Sequence, residues 1–212
     1  MSLLTTLKEG GSLAIDTIGN KPIDEDIDLL PDGNGKLNLI YTINATGSAN
    51  KVTFANIQED TYRTHLLLAH NLTSHNTTGH LNMRVSTDNG SSERTASNYY
   101  KISRYGNSKD NDKGLSRYAA DTELEYALGT DNNSATNTGW GYIWFNDLGS
   151  SSQYSQFTTL NGGHNTNNSS EYFVFGGGQY AVAETHNAFT IYHNIGSNNV
   201  IGKFSLYGLQ DS

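Results

Sequence analysis

The chain has no cysteine. That excludes a disulfide framework and any thiolate ligand for zinc or an iron–sulfur cluster. Proline is nearly as scarce. Pro22 and Pro31 are the only two, and both fall in one acidic stretch near the N-terminus. Basic residues number 13 against 21 acidic ones, a formal net charge of −8. No cluster of Lys and Arg occurs, so the electrostatic footprint of nucleic-acid binding is missing. Long apolar runs are missing too: Leu66-Leu67-Leu68-Ala69 is far short of the roughly 20 residues a membrane-spanning helix needs. Residues 1–8 lack a basic segment leading into an apolar core, so no signal peptide is expected. Nor is there a phosphate-binding loop, a nucleophile elbow or a serine–histidine signature. No enzymatic activity, cofactor, nucleic-acid partner or membrane insertion is expected.

What takes the place of charge is Asn, Ser, Thr and Gly. Charged residues make up only 16 % and glycines number 22, a mix that disfavours helices and favours strands joined by many turns. Thirteen tyrosines fit the same picture, because tyrosine packs on a pleated surface while its hydroxyl reaches water. Short runs rich in β-branched and aromatic residues recur every 10–20 positions without βαβ alternation. The expected fold is therefore all-β: an antiparallel two-sheet β-sandwich, jelly-roll-like, with an extended N-terminal arm.

The arm is residues 1–36 and the sandwich 37–212. In the arm, Ile23, Ile27 and Leu29 alternate with Asp24, Asp26 and Asp28, Leu30 follows, and prolines flank them. This suits a solvated edge, or an assembly arm that docks on a neighbouring subunit by strand addition. In the body, residues 64–70 read as a central strand covered on both sides. Residues 106–114 read as a polar loop and 119–128 as a short helix or turn. Gly176-Gly177-Gly178 reads as a bend, since no helix or Lys-Ser/Thr follows it. Residues 188–193 and 200–209 read as a closing pair of antiparallel strands, with a turn over 194–199.

Four constellations are candidates for chemistry. His65, His70, His75 and His80 recur every five residues, but odd spacing in a strand alternates faces, so solvent-facing histidines fit better than a zinc site. Asp88-Asn89-Gly90 and 110–114 echo calcium loops without the full ligand spacing, and tight turns explain both. Glu123 and Glu125 read as a solvated pair rather than a glycosidase dyad. Trp140, Tyr142 and Trp144 alternate and so share one strand face. That face fits a sandwich core, a subunit interface or a sugar-binding platform.

The segment Gly202-Lys203-Phe204-Ser205-Leu206-Tyr207-Gly208-Leu209 resembles the ending of a group of small structural proteins of tailed-phage virions. Val52-Thr53-Phe54-Ala55-Asn56-Ile57 with Tyr62, Leu66 and Leu68 is similar to an upstream segment of that group. Leu81-Asn82-Met83-Arg84-Val85-Ser86 and the residues up to Ser91 are similar to a third. The resemblance covers about residues 50–95 and 185–209. It implies a virion location after assembly in the host cytoplasm, other virion proteins as partners, and a homo-oligomer such as a trimer. Two roles stay open under it: a capsid decoration, cementing or adaptor subunit, or a tail-fibre protein recognising host surface glycan. A free carbohydrate-binding module is the alternative outside a virion.

Overall fold

The structure is a computed structural model that describes residues 36–74, 80–109, 113–129, 131–132, 139–165, 170–196 and 199–209. Ahead of them it describes four short strands, β1 (Thr6–Lys8), β2 (Ser12–Ala14), β3 (Thr17–Ile18) and β4 (Lys21–Pro22). β1 pairs with β2, and β3 with β4. Ile23, Ile27, Leu29 and Leu30 of the expected arm lie outside the described residues.

From residue 37 the chain forms a β-sandwich. Its elements are β5 (Leu37–Thr46), β6 (Lys51–Ala55), β7 (Thr64–Ser74), β8 (His80–Ser86), β9 (Tyr99–Asn107), β10 (Lys113–Asp121), β11 (Leu124–Gly129), β12 (Asp131–Asn132), β13 (Gly139–Asn146), β14 (Ser155–Asn165), β15 (Ser170–Tyr180), β16 (Ala188–His193) and β17 (Val200–Leu209). The large sheet has nine strands in the order β10-β9-β15-β14-β13-β7-β17-β5, with β12 beside β7. The small sheet runs β11-β8-β16-β6. All these pairs are antiparallel except β12 with β7.

Alternation explains how the sheets close on one core. Along β13, Gly139, Gly141, Ile143 and Phe145 are buried while the residues between them are not. Register aligns Ile143 with Leu67 and Thr159, and Leu67 with Leu206, so one inward row crosses four strands. β7 keeps this pattern through a bulge at His70 and Asn71. Asn71 takes a left-handed φ of 56°, which returns Leu72 to the interior beside Leu67 and Ala69. Between the sheets, Phe189 of β16 stacks on Phe54 at 4.6 Å and lies 4.6 Å from Phe145 of the large sheet. Each fully buried Phe contributes on the order of 2–3 kcal/mol from apolar burial.

Several expectations are corrected. β16 and β17 are not a hairpin. β16 lies between β8 and β6, and β17 between β7 and β5, so the segment joining them crosses from one sheet to the other. Each has an apolar inward face, and two such strands bury more by facing each other than by pairing edge to edge. Residues 119–128 form the end of β10, a turn and β11 rather than a helix. The polar 106–114 segment joins the β9–β10 hairpin, whose strands run to Asn107 and from Lys113. β7 is central, as expected, yet one of its faces stays open: Leu68 is 37 % exposed.

Gly176-Gly177-Gly178 is not a bend but lies inside β15. A Cβ at Gly176 would stand 2.5 Å from the Ile102 carbonyl oxygen, and one at Gly178 2.3 Å from that of Tyr100. The glycines thus allow β15 and β9 to approach closely. Gly178→Ala is expected to destabilise the fold by about 1–3 kcal/mol, because backbone must move to admit the methyl group. A denaturant midpoint equal to wild type would show that the seam absorbs it.

Candidate functional site

The two outer faces of the sandwich differ. On the small sheet, Lys51, Asn82, Arg84 and Tyr192 point outward into a network. Arg84 donates to Glu93 (3.2 Å) and Glu123 (2.8 Å), Asn82 donates to Glu123 (2.6 Å), and the Tyr192 hydroxyl also donates to Glu123. Lys51 pairs with Glu93 at 3.2 Å. Burial pushes the Glu123 carboxyl upward, and Arg84 opposes that shift. Glu123 is therefore not the solvated carboxylate the sequence suggested. Outward Asn82 and Arg84 amid an apolar run were the available signal, but partners 39 and 108 residues away in sequence from Arg84 are set only by the fold. The 87–98 segment folds over this face, where the Arg94 amide donates to the Val85 carbonyl (2.8 Å). The Asp88-Asn89-Gly90 turn is tight, as expected: Asn89 and Gly90 have φ of 57° and 85°. Hydrogen bonds from Ser92 and Ser86 hold the Asp88 carboxyl down at about 2.

The outer face of the large sheet is open and apolar. Trp140, Tyr142 and Trp144 lie on it, so they do not build the core; Ile143 and Phe145 between them do. Trp140 is 42 % exposed. Tyr142 aligns with Leu68 on one side and Leu160 on the other. Trp144 aligns with Leu66 and Thr158. The second row continues through Tyr207 to Leu39, which is 56 % exposed. In the other direction the face continues to Phe173, 6.2 Å from Trp140, and to Phe175 and Ile102, both at least half exposed.

Charges on this face are sparse. Among the described residues, Arg104, Arg117 and Lys203 occupy outward positions, and Glu171 is the one outward carboxylate, hydrogen-bonded to His164 at 2.8 Å. Sequence reading found the three β13 aromatics but not Leu39, Leu68, Ile102 or Phe175. β7 and β15 carry bulky apolar residues on both faces, and in β9 the buried members include the polar Lys101 and Ser103, so alternation alone does not say which face is covered.

The histidine series does not converge. His65 is buried and its Nε2 bonds the Ile57 carbonyl at 2.9 Å, which corrects its reading as solvent-facing. His70 faces out, His80 stacks on Tyr126 at 3.6 Å, and His75 lies outside the described residues. Among the described residues no group of three His, Asp or Glu is placed to hold a metal ion. Residues 110–112 also lie outside the described set.

Comparison with family models, with curated proteins and with solved structures returned no match.

Proposed function

We propose that this chain is a non-enzymatic structural subunit of a bacteriophage virion, a capsid decoration, cementing or adaptor protein that binds neighbouring subunits through the outer face of its large sheet. The observation that carries this reading is the apolar half-face of β13, β7, β17 and β5. Leu37, Leu39, Leu68 and Trp140 are each more than a third exposed there, next to Tyr142, Trp144 and Tyr207. A contiguous apolar surface facing water favours burial against another protein, and aromatic enrichment with few charges is the composition of an interface core. The resemblance of residues 202–209 to virion proteins supplies the setting. An oligomer, such as a trimer, and an arm contact through Ile23, Ile27, Leu29 and Leu30 follow from the same reading.

Trp140→Asp on β13 and Leu39→Asp on the edge strand β5 each place a charge on this surface at solvent-exposed positions, one on either side of it. Each is expected to weaken attachment to particles stripped of the protein, or self-association in sedimentation velocity, by tenfold or more. The unfolding midpoint should stay within a few degrees of wild type. Unchanged association in both variants would refute the assignment of this face.

A further inference from the structure

We infer that the other half of the same face, the cleft above Gly177, is a binding site for a carboxylated saccharide. The inference does not depend on the virion reading. It rests on four adjacent strands, β10, β9, β15 and β14.

Gly177 is the outward member of the glycine run. It is aligned with Ile102 of β9 on one side and Thr158 of β14 on the other. Without a side chain at this position the surface sinks into an open cleft of about 760 Å³. With strands about 4.8 Å apart, β9 and β14 stand roughly 10 Å from each other across the glycine floor, wide enough for a pyranose ring. Tyr100 and Ile102 line one wall, and Gln156 and Thr158 the other. Gln179 closes one end and Arg117 reaches in from β10.

These side chains match a sugar in kind. The two amides and the hydroxyl offer both donors and acceptors, as sugar hydroxyls require. Tyr100 and Ile102, 41 % and 52 % exposed, offer apolar surface to the C–H face of a ring. The side chains of Gln156, Thr158, Gln179 and Arg117 make no hydrogen bond or ion pair with another described residue, so their polar groups face the cleft. The lining includes no carboxylate. A guanidinium in that setting selects a planar anion that it can hold with two parallel hydrogen bonds, a carboxylate on the sugar. An apolar peptide would leave the amides desolvated without partners. A nucleic-acid backbone would meet only Arg117 and the buried Lys101 on a chain of net charge −8.

The test is isothermal titration of the full chain with 3′-sialyllactose and digalacturonate, against lactose and maltotriose as neutral probes. At least one carboxylated probe should bind, at least tenfold more tightly than either neutral one. Arg117→Gln should erase that preference, and Gln179→Ala should weaken binding about tenfold. Gly177→Val should abolish it by filling the floor. A Cβ there stands 3.0 Å from the Phe157 carbonyl oxygen, so Arg117→Gln and Gln179→Ala keep the test independent of any strand distortion. Failure of both carboxylated probes, equal binding of the neutral ones, or full binding in the three variants would overturn the site. Trp140→Asp and Leu39→Asp should leave sugar binding intact. Loss of attachment and loss of sugar binding are thereby separable, and each reading stands or falls alone.

Discussion

Phe189→Ala is expected to destabilise the protein by about 3–5 kcal/mol and to lower its thermal midpoint by roughly 10 °C. Phe189 is fully buried and joins the layers: its ring lies 4.6 Å from Phe54 in its own sheet and 4.6 Å from Phe145 in the opposite one. Phe54 in turn meets Phe204 edge-on at 6.0 Å, and Phe145 meets Phe157 at 5.9 Å. Removing the central ring leaves a cavity walled by β13, which is hydrogen-bonded on both sides, and by β6, which is held on one side by β16, so little collapse can repair it. Phe175→Ala is the matched control. Its ring is 50 % exposed on the outer face, and its loss should cost about 1 kcal/mol or less. Urea unfolding of both variants decides the matter. Equal losses would mean that the inner and outer faces are assigned wrongly.

Acidification from pH 7 to 4 is expected to remove on the order of 3 kcal/mol of stability through His186 alone. The ring is fully buried. Its Nδ1 shares a 2.7 Å hydrogen bond with Ser155 Oγ, and its Nε2 lies 3.3 Å from Glu184, which also pairs with Arg94 at 2.7 Å. Burial pushes the ring down to about 4, against the opposing pull of Glu184. The folded state therefore keeps it neutral, while the unfolded chain protonates it near 6.5. Stability from this group is complete above 6.5, falls as pH drops below that value, and levels off once the folded ring protonates near 4. Burial lowers His65 and His193 as well, which steepens the same limb. Asp88, held at about 2, adds a separate loss below its ordinary value near 3.8. His186→Gln should flatten the profile of urea midpoint against pH by about one proton. A wild-type profile that is flat or rising between pH 7 and 4.5 would contradict the neutral buried ring.

Much of the architecture was legible in the chain because the signals are local. Period-two alternation in residues 81–86 and 200–209, and the aromatic run over 140–146, mark strands wherever they pair. The glycine run and the 119–128 segment misled for a physical reason. Glycine is read as a turn former unless a neighbouring backbone is known to crowd it, and Ala119, Ala120, Glu123 and Leu124 favour a helix only where no strand edge offers hydrogen bonds. Of the proposed sites, Trp140, Tyr142 and Trp144 were visible as a shared face. The cleft above Gly177 was not, because its lining comes from four strands spread over residues 100–179.

The sequence by itself determined that this is a strand-built protein with little charge, no thiol chemistry and a repeating apolar alternation. Those properties follow from composition and from neighbours one or two residues apart. Only the tertiary structure decided which side of each strand is covered. In β13 both alternating sets are bulky and apolar, and nothing within the strand distinguishes Phe145 from Trp144. The small sheet packs against one set and leaves the other to water, and that choice turns Trp140, Tyr142 and Trp144 from core residues into surface. The same packing places β16 and β17 on opposite layers, although they are neighbours in the chain. Register with partners more than a hundred residues distant sets those positions, and no local pattern encodes it.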